Sequence, residues 1–166
     1  LTPNNKTVWK QENKSQLLTE QNTINLYWDN GQGLLFKRKI SIDDDYMFSI
    51  YDEIINNTNN EIALYPYGSI TRISTPKILG FFILHEGPLG VFNDTLSEFD
   101  YSEVREKKLE QITSIGGWSG FTDKYWLTAL ISDQNEEIET SLRHVFNGSD
   151  LYQVDFRTIK PTIVSP

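Results

Sequence analysis

The sequence contains no cysteine, so neither a disulfide framework nor thiolate chemistry is open to it. A small, disulfide-dense secreted module is excluded, although an oxidising compartment is not. Histidine is nearly as scarce, with two in 166 residues. No apolar run approaches the roughly 20 residues that a membrane-spanning helix needs, and no secretory signal stands at the start. Positive charge is in deficit: 15 Lys and Arg against 23 Asp and Glu give a formal charge of −8. Such a surface repels nucleic acid phosphates and anionic lipid headgroups, so nucleic acid is not an expected partner. Leu1 is not a natural first residue, and the chain reads as a fragment of a longer precursor.

What the sequence has is alternation. A chain of this length is most simply one domain, 1–166, with enough residues to bury a core without covalent staples. Residues 1–22 are polar. Thr7–Lys10 is a candidate short strand, and Lys14–Gln21 a weak helical turn or loop. From Thr23 onward Ile24, Leu26 and Trp28 alternate with polar or amphipathic neighbours, which is strand periodicity. Asp29-Asn30-Gly31 is a strong turn signal, and Leu34–Ile42 resumes the alternation, predicting a hairpin. Asp43-Asp44-Asp45 marks the next turn, and Tyr46–Ile55 the next strand. Ile62–Pro66 and Gly68–Ile73 read as strand again. Pro66 cannot donate a ladder hydrogen bond, so a bulge or sheet edge is expected at Tyr65-Pro66-Tyr67. Phe81–Leu84 and Leu89–Phe92 are further candidate strands, and 93–101 reads as loop. Ser102–Leu109 has the composition of one short helix, with a strand from Leu109 as the alternative. Ile138–Phe146 and Leu151–Thr158 pair plausibly around Asn147–Asp150. The fold class expected is all-β and antiparallel, a sandwich with one or two short helices near 102–109 and 121–126.

The stretch Ser114–Ser132, SIGGWSGFTDKYWLTALIS, is the expected centre of the core. Gly116 and Gly117 permit backbone angles that other residues avoid. Trp118, Phe121, Tyr125 and Trp126 follow at once, and four such rings do not face water cheaply. The run Leu127–Ile131 reads as a strand buried on both faces. These six residues, Gly116 to Trp126, are therefore expected to form a structural hub, with Trp126→Ala costing roughly 3–5 kcal/mol.

Catalytic constellations are thin. His85 and His144 fall in different predicted strands, and neither has a second histidine one helical turn away, so no zinc motif exists. The Asp43–Asp45 run lacks the alternating ligands of a calcium loop and reads as a solvated turn. Gly117-Trp118-Ser119-Gly120-Phe121 lacks the final glycine of a nucleophile elbow. Gly31-Gln32-Gly33 lacks the third glycine of a dinucleotide site. Glu86 and Asp123 are a possible carboxylate pair that sequence alone cannot place together. Asn-x-Ser/Thr triplets at Asn5, Asn13, Asn56, Asn93 and Asn147 are what an Asn-rich chain yields by composition. No catalytic residue, cofactor or metal is expected.

Four stretches carry a family resemblance: GGWSGFTDKYW (116–126), WDNGQGLLFKRKISIDDDYMF (28–48), ALYPYGSITRISTPK (63–77) and GFFILHEGPLGV (80–91). Together they resemble, in order, the large periplasmic domain of the YidC/OxaA membrane protein insertases of Gram-negative bacteria. The likeness covers roughly residues 1–131, and LYQVDFRTIKPTIVSP (151–166) fits more loosely. The resemblance implies an antiparallel β-supersandwich of the galactose mutarotase type, facing the periplasm. It implies tethering to the inner membrane through helices absent from this chain, where the insertion chemistry resides. It implies a non-catalytic role in insertion and folding of inner-membrane proteins, alone or with the Sec translocon and its accessory subunits. Sheet edges covered by the remainder of such a domain would then stand open, or pair with another copy. Docking at a strand edge near Tyr65, Pro66 and Tyr67 is the expected mode of partner binding. The alternative is a carbohydrate-binding or mutarotase-like sandwich, which needs a histidine and a carboxylate converging on one sugar.

Overall fold

Turns written with Asp, Asn and Gly cut the chain into short antiparallel ladders. The computed structural model describes residues 1–13, 16–77 and 84–166. In chain order, β1 (Lys10–Gln11), β2 (Ile24–Asp29), β3 (Leu34–Ile42), β4 (Phe48–Asn56), β5 (Ile62–Leu64) and β6 (Tyr67–Ile73) come first. Then come β7 (Gly87–Phe92), β8 (Thr95–Glu98), helix α1 (Tyr101–Lys107) and β9 (Leu109–Ile115). The chain continues with β10 (Trp118–Thr122), β11 (Leu127–Ile131), β12 (Glu137–Phe146), β13 (Asp150–Thr158) and β14 (Thr162–Val164). The expected all-β antiparallel class is what forms, with α1 the one helix among the described residues. None of the described helices is long and apolar enough to cross a membrane. The candidate strand at Phe81–Leu84 and the candidate turn at Lys14–Gln21 lie partly outside the described residues.

The chain divides into two compact units, Leu1–Leu64 with Ile163–Pro166, and Tyr65–Thr162. In the first unit the sheet order is β1-β2-β3-β4, and β14 pairs with β5. The β2–β3 turn is fixed by its own side chains. Asp29 Oδ1 accepts the Gly31 N–H at 2.8 Å, and Asn30 Oδ1 accepts those of Gln32 and Leu34 at 2.8 and 3.0 Å. The β3–β4 turn repeats the device, with Asp43 Oδ1 accepting the N–H groups of Asp45 and Met47 at 3.0 and 2.9 Å. Leu34 and Phe36 are buried, and Trp28 lies against Phe36 with ring centroids 5.6 Å apart. Buried Asn56 donates to the carbonyls of Asn60 and Val164, at 2.8 and 2.9 Å, and so ties the chain's end to this unit.

In the second unit two four-stranded sheets, β11-β10-β7-β8 and β6-β13-β12-β9, supply the core between them. Even-numbered positions of β12 and β13 face inward: Ile138, Thr140 and Leu142, then Tyr152 and Val154, all buried. Helix α1 adds Tyr101 and Val104, and Phe92, Phe99 and Phe121 complete the cluster. Each such side chain contributes about 1.5–3 kcal/mol by leaving water. The Tyr101 ring meets Tyr152 edge-on at 4.7 Å and stacks at 6.5 Å on Phe121.

Three expectations are corrected here. The stretch 93–101 is not loop throughout: Asn93 and Asp94, both at positive φ, turn β7 into β8. No helix forms at 121–126, because Phe121 and Thr122 belong to β10 and Asp123–Trp126 is a reverse turn, closed by the Asp123 N–H on the Trp126 carbonyl at 2.8 Å. The hub is only half a hub. Phe121 is buried and Trp118 half-buried, but Tyr125 and Trp126 are 78% and 77% exposed. They sit on the turn between β10 and β11. Among the described residues β11 is an edge strand rather than an inner one, and Leu127 and Ile131 are exposed as well. A short apolar run cannot by itself tell an inner strand from an outer one.

Candidate functional site

Among the described residues β6 pairs with β13 alone and β11 with β10 alone, so each of the two sheets ends there in a strand with a single ladder partner. The two edges meet: Arg72 of β6 makes an ion pair with Asp123, at the turn into β11. That carboxylate pulls Arg72 upward from its ordinary range, against the opposing effect of burial. An edge strand offers unpaired N–H and C=O groups, and proteins usually blunt it with Lys, Pro or a bulge. β11, with sequence LTALI, carries none of these residues.

Side chains beside these two strands are apolar and exposed. Tyr67 and Ile73 of β6 are 57% and 68% exposed, facing solvent with Trp126, Leu127 and Ile131 from the other sheet. Tyr65, Pro66 and Tyr67, the residues singled out for partner binding, lie at the start of this edge. Tyr65 and Pro66 fall outside the ladder and are exposed, and the Pro66 carbonyl accepts the Thr158 N–H at 3.1 Å. Their location is the sheet edge that Pro66 implied.

Next to β6 the outward face of the sheet is polar. Odd-numbered positions of β12 and β13 align across strands, Glu139 with Arg157, Ser141 with Asp155 and Arg143 with Gln153. With Tyr67 and Gln111 they line a concavity of about 610 Å³. Its charges are already paired. Asp155, 4% exposed, accepts from Gln153 Nε2 at 2.7 Å and faces Arg143 Nε at 3.3 Å. Arg157 pairs with Glu139 at 3.1 Å, and Gln153 Nε2 donates to the Tyr67 hydroxyl at 3.1 Å. The concavity holds no nucleophile beside a base: Ser141 Oγ accepts from Arg143, and both histidines are engaged elsewhere.

One constellation escaped sequence reasoning. His144 Nε2 lies 2.8 Å from Asp150 Oδ1, a histidine and a carboxylate bonded to each other rather than converging on a shared ligand. Thr75 donates its hydroxyl to Asp150 Oδ2 at 2.8 Å, and Arg105 of α1 donates to Thr75 and Tyr152 at 2.9 and 2.8 Å. Hydrogen bonds from His144 and Thr75, together with the Arg105 charge, hold the Asp150 carboxyl below its usual range. The His144 side chain is only 10% exposed and packs on Tyr152 with ring centroids 5.0 Å apart. The cluster is a latch between helix and sheet, its groups engaged with one another. The signal available in the sequence was the Asn147-Gly148 turn, whose register sets Asp150 opposite Phe146 and His144 opposite Tyr152. His85 is elsewhere, its Nε2 3.0 Å from the Pro88 carbonyl. Glu86 and Asp123 both act on Arg72 electrostatically. No three His, Asp or Glu side chains converge as metal ligands among the described residues.

Comparison with known proteins supplies the family. The family described as the YidC periplasmic domain matches residues 1–166. A membrane protein insertase YidC of Nitrobacter hamburgensis is 39% identical over 163 residues, which cover 97% of this chain and 27% of that protein. One of Rickettsia bellii is 38% identical over 167 residues, covering 99% of this chain and 29% of the relative. The chain thus spans under a third of the length of the curated relatives it matches.

Proposed function

The chain belongs to the YidC periplasmic domain family, and from that premise we propose that it is the non-catalytic periplasmic part of an inner-membrane insertase. It assists insertion and folding of inner-membrane proteins, alone or beside the Sec translocon and its accessory subunits. It acts by holding extended polypeptide, from a client or from a Sec subunit, along β6 and β11. The observation that carries this reading is the pair of strands that each have one ladder partner among the described residues, with Tyr67, Ile73, Trp126, Leu127 and Ile131 exposed beside them. Backbone pairing supplies affinity in this mode, and the exposed apolar side chains supply selectivity.

The carbohydrate reading has one specific observation in its favour, a polar concave face beside the Tyr67 ring. A sugar site usually offers an aromatic platform with free hydrogen-bonding groups. Here the acids and guanidinium groups of the floor are spent on one another.

The test is photocrosslinking in the intact membrane protein, with the reactive group at Tyr67, Ile73 or Leu127 and a control at exposed Glu106 on α1. Adducts with nascent chains or Sec subunits are expected at the three edge positions. Adducts absent there, or equally frequent at Glu106, leave the domain as a spacer.

A further inference from the structure

Two turns of the chain are written with Asn before Gly: Asn30-Gly31 between β2 and β3, and Asn147-Gly148 between β12 and β13. Asparagine is a thermolabile residue. A glycine after it leaves the following backbone nitrogen unshielded, because no β-carbon stands beside it. Both glycines have positive φ, +68° at Gly31 and +77° at Gly148. Their surroundings differ.

In the first pair every reacting group is engaged. Asn30 Oδ1 accepts the N–H groups of Gln32 and Leu34, and Asn30 Nδ2 donates to the Leu1 carbonyl at 3.0 Å. The Gly31 N–H is held by Asp29 Oδ1 at 2.8 Å. The amide and the nitrogen that would attack it are thus fixed by separate partners. In the second pair Asn147 and Gly148 are both exposed. The Asn147 backbone N–H donates to the Ser149 carbonyl at 3.1 Å, but among the described residues neither its side-chain amide nor the Gly148 N–H has a hydrogen-bond partner. Space around Gly148 is open, with no atom within 4 Å of where a β-carbon would stand. The Asn147 side chain is free to swing onto the following nitrogen.

We propose that Asn147 is a site of spontaneous deamidation, and that the isoaspartate formed there releases the His144–Asp150 latch. The Gly148 nitrogen gives up its proton and bonds to Cγ of Asn147. The Cγ–Nδ2 bond breaks, ammonia leaves, and a cyclic imide closes. Water then opens the imide at either carbonyl, giving aspartate or isoaspartate without an oxidant or cofactor. Isoaspartate carries the main chain through its own side chain and so lengthens it by a methylene. Only Asn147, Gly148 and Ser149 separate the paired residues Phe146 and Asp150. Asp150 comes directly after the turn, and its carboxylate must meet His144, Thr75 and Arg105 at once. An inserted methylene displaces that carboxylate, much as a bulge re-aims a side chain. This chemistry belongs to the chain itself and does not depend on the proposed function.

The test is incubation of the whole chain at mildly alkaline pH, with peptide mapping by mass spectrometry and an assay for isoaspartate. Asn147 should convert at least about tenfold faster than Asn30, whose hydrogen bonds must open first. In urea strong enough to unfold the chain the two rates should converge, because the fold sets the difference. Incubated chain should melt at lower urea than fresh chain, whereas Asn147→Gln incubated alongside should not change. In an Asp150→Asn background the loss on incubation should shrink, since the latch is already broken. Asn147→Asp carries the charge of the product without the methylene and should melt as the parent does. Equal conversion at Asn30 and Asn147 in the folded chain, or none at Asn147, overturns the inference. So does a melt that isoaspartate leaves unchanged, or an undiminished loss in Asp150→Asn. An equal loss in Asn147→Asp would assign the effect to charge, which also overturns it.

Discussion

His144 and Asp150 face each other across the β12–β13 hairpin at 2.8 Å, with the histidine ring almost enclosed. The lowered titration of Asp150 makes this latch pH-dependent in a defined direction. A carboxylate held below its unfolded value stabilises the fold above that value, and the contribution is lost as pH falls through the folded one. Asp150→Asn should therefore lower the urea midpoint at pH 7. The gap between variant and parent should close as the pH drops below about 4, where the unfolded carboxylate takes up its proton. A gap that stays constant down to pH 2 would count against the latch.

Tyr101 is 1% exposed, and its hydroxyl finds no partner among the described residues. Removing an unsatisfied buried hydroxyl recovers part of a penalty of about 1–3 kcal/mol. Tyr101→Phe should be neutral to stabilising, a direction opposite to that of most core substitutions. Burial also pushes the phenol up to about 12, so the folded protein keeps its proton where the unfolded chain has lost it. Parental stability should fall above pH 10, with Tyr101→Phe spared that share of the loss. Thermal melts at pH 7 and pH 10.5 read both effects.

Within the aromatic stretch the two ends should behave differently. Phe121 is buried, and Phe121→Ala should cost about 3–5 kcal/mol. Trp126 is 77% exposed, and Trp126→Ala should shift stability by no more than about 0.5 kcal/mol. Urea melts of the two variants separate core from edge, and a severe loss at Trp126 would restore the hub.

Gly117 has φ of +88°, and a β-carbon there would run into the carbonyl of Val91. Gly117→Val should cost at least about 1–3 kcal/mol from backbone strain alone. Gly148, also at positive φ but with open space around it, should tolerate Ala better. Equal losses at both sites would show that φ, rather than the clash, governs Gly117.

The elements that were legible in the sequence are those whose information is local. The Asp29-Asn30-Gly31 turn fixes its hairpin through its own side chains, and Asp43 does the same one turn later. At Ser102–Leu109 both readings proved correct, because Lys108 at φ +63° ends the helix and β9 starts at Leu109. Position within a sheet was not legible. Leu127–Ile131 is the more apolar stretch and Ile138–Leu142, IETSL, the less, yet among the described residues it is the second that has neighbours on both sides. The edge at Pro66 was legible because proline lacks the N–H that a central strand needs. The companion edge at β11 was not, since nothing in LTALI marks it. The His144–Asp150 pairing depended on hairpin register, which one residue of slip would have undone.

The account rests on polypeptide docking at β6 and β11, and amide hydrogen exchange with and without a bound extended chain tests it most directly. The ligand is an unfolded polypeptide. Slowed exchange is expected at amides of Tyr67–Ile73 and Leu127–Ile131, with little change in α1. Exchange unchanged along both strands while the polypeptide is bound would contradict the account.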